Sequence, residues 1–251
     1  MLFFGGEPTL RKDLAELIGY ASQNGLITLL FTNGLLLTDY NVKEFKRAKL
    51  NFTEIGVDSP YSEIHDRLRG VKGSFNVVCA NIKNCLNNNL NFAIATYATN
   101  ENIKNGDLNK LILWAKSVGA SYVRVAGPIP AGKWLGMNKD IKLTKESIKE
   151  LKKIIDGKFA FSDIIENYCI AKNKRLFYVS PYGEVQPCHY VPISFGNVRE
   201  EPLDKILKKM WESPIYKLPR KPCLMRDGSF INNYLGNVNS EKNFPILIKN
   251  K

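Results

Sequence analysis

Two groups of residues in this 251-residue chain have the types and spacing to do chemistry. The first is Gly5-Gly6-Glu7-Pro8, directly after the apolar run Leu2-Phe3-Phe4. Paired glycines let backbone approach a ligand closely, the proline stiffens the turn, and Glu7 supplies acceptor oxygens or braces the loop. The second is cysteine. Cys79, Cys85, Cys169, Cys188 and Cys223 are an odd count, and the opening residues lack the basic, apolar and small-residue pattern of an export signal. They read as free thiols or metal ligands rather than a disulfide framework. Cys79 and Cys85, six apart on one expected helix, face different sides and read as small buried hydrophobes.

The elements that must position these residues alternate. Residues 2–4 read as a strand, then a helix from about Leu10 to Asn24, with Leu10, Leu14, Leu17, Ile18 and Ala21 as its apolar stripe. "LITLLFTNG", "FTEIGVDS", "NFAIATYA" and "SYVRVAGP" read as further strands. Helices over about Asp39–Ala48, Phe75–Asn87 and Leu108–Val118 separate them. Near-continuous apolar strands joined by helical crossovers give a parallel α/β sheet that curls into a barrel or partial barrel. Such sheets bind ligands at the carboxyl ends of their strands. Those ends carry Gly5–Pro8, Thr32-Asn33-Gly34, Asp58-Ser59-Pro60, Thr96–Asn100 and Gly127-Pro128. A linker over Ala131–Thr144 leads to a basic amphipathic helix ending near Asp156. The tail has a short strand pair turning at Tyr182-Gly183, a helix over Leu203–Trp211 and a loop-rich end. The expected divisions are 1–133, 134–158 and 159–251.

The formal charge of +12 raises the question of an acidic or nucleic-acid partner. The lysines are spread along polar helix faces, as in Lys145–Lys158 opposite Ile148, Leu151, Ile154 and Ile155. That pattern is a solvated basic surface, and no aromatic-and-basic recognition module accompanies it. No apolar run reaches the ~18–20 residues of a membrane span, so no membrane partner and a cytoplasmic location are expected.

Taken together and in order, "FFGGEPTL", "FTNGLLL", "IGVDSPYSEIHDRLRGVKGSFNVV" and "GASYVRVAGPIPAGK" resemble the radical S-adenosylmethionine (SAM) enzymes over residues 1–133. The resemblance implies that Gly5, Gly6, Glu7 and Pro8 meet the methionine amino group of SAM. It implies Arg69 or Ser59 for the methionine carboxylate, Asp58 or Asn33 for the ribose, and backbone from Thr96 to Asn100 for the adenine. Arg69 could instead pair with Asp66, and His65 is read as structural. The family reduces SAM to methionine and a 5′-deoxyadenosyl radical that takes hydrogen from a small-molecule or peptide substrate, with a donor such as ferredoxin or flavodoxin. Its Cys-x3-Cys-x2-Cys loop, which holds the SAM-binding [4Fe–4S] cluster, lies upstream of Gly-Gly-Glu-Pro, whereas this chain has no cysteine before Cys79. The expectation is a chain starting inside the second barrel strand. As given it cannot hold that cluster or cleave SAM alone, and needs a missing N-terminal segment or a partner chain. Its open sheet edge should favour aggregation or pairing.

The spacing Cys169-x13-Gly183-x4-Cys188, followed by "GNVREEPLDKILKKMWESP" and Cys223, is similar to the SPASM/Twitch extension of that family. It implies one auxiliary [4Fe–4S] cluster on Cys169, Cys188 and Cys223, its fourth iron open or met by His189, Asp227 or substrate. The competing reading is a structural zinc site of the three cysteines and His189, although adjacent Cys188 and His189 would rarely both face one tetrahedral ion. The expected function is that of a radical SAM/SPASM-type oxidoreductase or maturase acting on a peptide or tetrapyrrole-like substrate. The alternatives are a non-catalytic iron–sulfur subunit that works with a partner chain, and a basic zinc-binding module.

Overall fold

The computed structural model describes residues 1–131, 142–166, 169–217, 223–235 and 245–247. Most of the expected linker, residues 132–141, lies outside them. The chain divides into two compact units, Met1–Gly127 with Leu143–Ile165, and Pro128–Lys142 with Glu166–Lys251.

The first unit is built on six parallel strands in sequential order: β1 (Leu2–Phe3), β2 (Leu29–Thr32), β3 (Phe52–Gly56), β4 (Phe92–Tyr97), β5 (Val123–Ala126) and β6 (Ala160–Ser162). The crossovers carry α1 (Leu14–Gln23), α2 (Asp39–Arg47), α3 (Ser62–Arg69), α4 (Ser74–Asn87), α5 (Asn100–Lys104), α6 (Asp107–Ser117) and α7 (Lys145–Ile154). Side chains set several helix starts. Thr38 caps α2 by accepting from Asn41 N, and Thr99 and Asn102 form a reciprocal capping box on α5.

Because every crossover joins neighbouring parallel strands and takes the same hand, the helices lie on one face of the sheet. The core follows: Phe3, Leu30, Ile55, Ile94, Val123 and Val125 pack with Ile18, Val42, Val78, Ile82, Leu108 and Leu111, all buried. Alternate residues, Phe4, Phe31, Phe52, Ala95, Tyr97, Tyr122, Arg124 and Phe161, are only half-buried and belong to the other face.

Two elements differ from the sequence expectation. The expected tail begins at Phe159, but Ala160–Ser162 pairs with Val123–Val125 as a sixth strand. Ser62–Arg69 is helical, yet only His65 on it is buried, so it shows no apolar stripe at helical spacing.

A short α8 (Asp163–Glu166) ends the first unit. The second unit has a hairpin of β7 (Tyr178–Val179) and β8 (Val185–Gln186). Gly183 turns it at φ +93°, where a Cβ would overlap Asn197 Oδ1. β9 (Ile193–Ser194), α9 (Leu203–Glu212) and β10 (Ile246–Leu247) follow, with β9 and β10 parallel. Val185, Val191, Ile193, Phe195, Ile206, Met210, Ile215, Met225 and Phe230 form a separate core. Among the described residues no helix is long and apolar enough to cross a membrane.

Candidate functional site

At the carboxyl end of β1 the Gly-Gly-Glu-Pro loop is tied down by its own glutamate. Glu7 Oε1 accepts from Thr9 N (3.1 Å), Thr9 Oγ1 (2.5 Å) and Thr32 Oγ1 (2.7 Å), and Oε2 accepts from Asn33 N (2.7 Å). Of the two roles open to Glu7, bracing the loop is the one its bonds occupy. It locks the β1 loop to the end of β2 and caps the 3-10 turn Pro8–Leu10. Gly5, at φ +156°, and Gly6 are both open: a Cβ added at either would meet nothing within 4 Å. Asn33 Oδ1 accepts from Leu35 N (2.8 Å).

Beside this loop, the end of β3 carries an ion pair. Arg69 Nε stands 2.7 Å from Asp58 Oδ2, and Arg69 Nη2 donates to Asp58 Oδ1 at 3.0 Å, a two-pronged contact. Arg69 therefore pairs with Asp58 and not with Asp66, which accepts from Gly73 N, Ser74 Oγ and Phe75 N. The guanidinium lies across Gly56, where a Cβ would come within 2.7 Å of Nη2. Thr32 partners Ile55 in the ladder, which sets Asn33 next to Gly56. Asp58 N in turn donates to Nδ1 of buried His65 (3.2 Å). Burial holds the His65 pKa below its ordinary value, with Asp58 opposing and Arg69 assisting. The ring is thus neutral, carries its proton on Nε2, and fixes the backbone at Asp58.

Ser59 is buried and its Oγ accepts from Tyr61 N, so it shapes the turn. Thr96 is buried, and its Oγ1 has no hydrogen-bond partner among the described residues. Around it, Tyr97 O, Ala98 N and Thr99 N bond to Asn102 Nδ2, Ala126 O and Asn102 Oδ1. The structure joins Glu7 to Asn33 and Asp58 to Arg69, and it gives Ser59 a local structural bond.

A polar network that sequence reasoning did not single out lies on the half-buried face. Glu54, 4% exposed, accepts from Tyr122 Oη (2.7 Å) and Arg124 Nε (2.7 Å). The available signal was a charged residue at alternate positions of two apolar strands, in "FTEIG" and "YVRVA".

In the second unit, Cys169, Cys188 and Cys223 sense one another. Cys169 and Cys223 share a thiol hydrogen bond, which pulls the Cys169 thiol below its usual range and pushes Cys223 up. Burial pushes Cys188 up to about 11. Neighbouring backbone amides favour the thiolate at each sulfur: those of Lys172, Ala171 and Leu224 at Cys169, of Tyr190 and Val191 at Cys188, and of Met225 at Cys223. Amides aimed at sulfur favour thiolate and are a lever on cluster potentials, so the donor set fits a cluster. Cys79 and Cys85 have no such amides, and burial alone raises them, Cys85 to about 12. Among the described residues no three or more His, Cys, Asp or Glu side chains form a set that could hold a metal ion. A cubane differs from a single ion in spreading its thiolates over separate irons. His189 packs its ring on Tyr190 at 3.8 Å between centroids, and Asp227 Oδ1 accepts from Ser229 N, Ser229 Oγ and Phe230 N.

Residues 1–112 match the radical SAM superfamily, and residues 169–229 match SPASM, an iron–sulfur cluster-binding domain. The AdoMet-dependent heme synthase of Oleidesulfovibrio alaskensis is 26% identical over 83% of this chain and 62% of its own length. The enzyme of the same name from Methanosarcina barkeri is 27% identical over 88% of this chain and 71% of its own. The chain thus spans less than two thirds of the first of these relatives. Among solved structures, native anSMEcpe with bound AdoMet and Cp18Cys peptide superposes with a TM-score of 0.62 at 20% identity, covering 86% of this chain and 67% of that one. With both family matches in their expected order along the sequence, the chain belongs to the radical SAM superfamily and carries a SPASM-type iron–sulfur cluster-binding domain.

Proposed function

We propose that the chain binds SAM at the carboxyl ends of β1 to β4, and one iron–sulfur cluster on Cys169, Cys188 and Cys223, as part of a radical SAM/SPASM-type modifying enzyme. The observation that carries the SAM assignment is the braced but open loop. Glu7 spends its oxygens on the loop itself, so the close approach is left to Gly5 and Gly6, whose Cβ positions are empty. Their backbone carbonyls suit the amino group of the methionine moiety. Arg69, held by Asp58 through Nε and Nη2, keeps its Nη1 edge for the methionine carboxylate. Asp58 and Asn33 flank the ribose position, with the backbone near Thr96 toward the adenine.

Bound together, SAM and the family's iron–sulfur groups supply one-electron chemistry for removing a hydrogen atom from a substrate. The chain's own residues hold and orient the ligand. The names of the heme synthases extend the reading to tetrapyrroles, and the peptide held by anSMEcpe extends it to peptides.

Gly6→Ala tests the SAM assignment. Its φ lies outside the glycine-favouring region and its Cβ meets nothing in the fold, so stability should stay within about 0.5 kcal/mol. Calorimetric titration with SAM under anaerobic conditions should show affinity at least about tenfold weaker than wild type, a methyl group then standing where the ligand sits. Equal affinity for SAM in both proteins would remove the loop from the site.

A further inference from the structure

Two polar atoms in the cysteine unit are sealed from solvent without an acceptor. Trp211 stands in the last turn of α9, and Tyr216 lies on the 3-10 turn Pro214–Lys217 directly after it. Both rings pack on the core of Val185, Cys188, Ile206, Met210 and Ile215, against which Cys169 and Cys223 also pack. Trp211 Nε1 and Tyr216 Oη are buried, and neither has a hydrogen-bond partner among the described residues. Folded proteins leave few buried polar groups unpaired, and two within one small core call for an acceptor there.

The surrounding charges say which acceptor. After burial, the negative charges of Cys188 and Cys169 do most to raise the Tyr216 pKa, and nearby Trp211 works against them. The hydroxyl therefore keeps its proton beside two of the three sulfurs. An indole N–H can only donate, whereas a phenol both donates and accepts. That fixes the order of the two groups: the Trp211 N–H turns to Tyr216 Oη, and the hydroxyl keeps its own hydrogen for another acceptor. A thiol accepts weakly. Cluster sulfur is more negative, and hydrogen bonds to it tune the potential.

We propose that the Tyr216 hydroxyl donates a hydrogen bond to a sulfur of the cluster on Cys169, Cys188 and Cys223, and that Trp211 orients that hydroxyl. The proposal rests on the reading of these cysteines as cluster ligands. A donor at sulfur stabilises the reduced, more negative cluster over the oxidised one, so it raises the potential.

The test uses the full chain after anaerobic reconstitution, with iron and sulfide counted before a redox titration followed by electron paramagnetic resonance. Tyr216→Phe removes the hydroxyl and keeps the ring, so it should retain as much iron as wild type. Its reduction should be disfavoured about threefold or more, a potential lower by about 28 mV or more at about 59 mV per tenfold. Trp211→Phe should shift the potential the same way by less. The double variant should match Tyr216→Phe, since Trp211 acts through Tyr216. In iron-free protein, Tyr216→Phe should leave the urea midpoint unchanged or raise it, because no bond is lost.

An iron-loaded Tyr216→Phe with the wild-type potential would overturn the assignment. So would an iron-free Tyr216→Phe that unfolds more easily than wild type, because the hydroxyl would then have a partner within the fold. If Tyr216→Phe sheds its iron, Trp211→Phe carries the same readout. Wild type without iron ends the cluster reading and this proposal with it, whereas full iron with unmoved potentials ends this proposal alone.

Discussion

Glu7 and His65 show how much of the mouth is scaffolding. Glu7 is a conspicuous acceptor in sequence, but four donors from the chain consume it. A sequence places a carboxylate near a ligand site without saying which donors reach it first. His65 was legible as structural because it stands alone, but its bond to Asp58 N was not, since that depends on helix α3. Its pKa is lowered by burial, so below the unfolded value of about 6.5 the unfolded chain takes up a proton that the folded chain refuses. Stability from this group is complete above that pH and declines as pH falls toward the folded pKa. Urea unfolding at pH 7.5 and 5.5 should show a larger acid loss for wild type than for His65→Gln. Parallel losses would mean that His65 is not held neutral.

At the scale of elements, the strands of the sheet and the long helices could be read directly, since each buries one face with its own period. β6 could not: Ala160–Ser162 is three residues long, follows a basic helix, and earns its place only by pairing with β5. α3 is polar on nearly every side, so periodicity passes over it. Glu54 and Arg124 were visible as charges in strands, but their meeting across β4 depends on the strand order and on the small Ala93 and Ala95 between them. In the cysteine unit, Gly183 was legible as a turn. Its φ of +93° costs an L-residue roughly 1–2 kcal/mol, and a Cβ would also displace Asn197, whose Nδ2 donates to Tyr182 O. Gly183→Ala should therefore lower unfolding stability by about 2 kcal/mol or more and reduce iron retained per chain. A variant with unchanged stability would show that the hairpin does not depend on that turn.

At the scale of the whole molecule, the sequential sheet and the separately cored cysteine unit each match the family in order, and each carries its own candidate ligand site. The sheet unit offers an open glycine loop beside an arginine. The other unit offers three sulfurs beside backbone amides that favour the thiolate. The proposed cluster is the most direct thing to measure. Iron and acid-labile sulfide should be determined per chain after anaerobic reconstitution, in wild type and in Cys169→Ala/Cys188→Ala/Cys223→Ala. The expected result is about four of each in wild type, lost in the triple variant. Wild type without iron, holding zinc on the same cysteines, would contradict the proposed cluster.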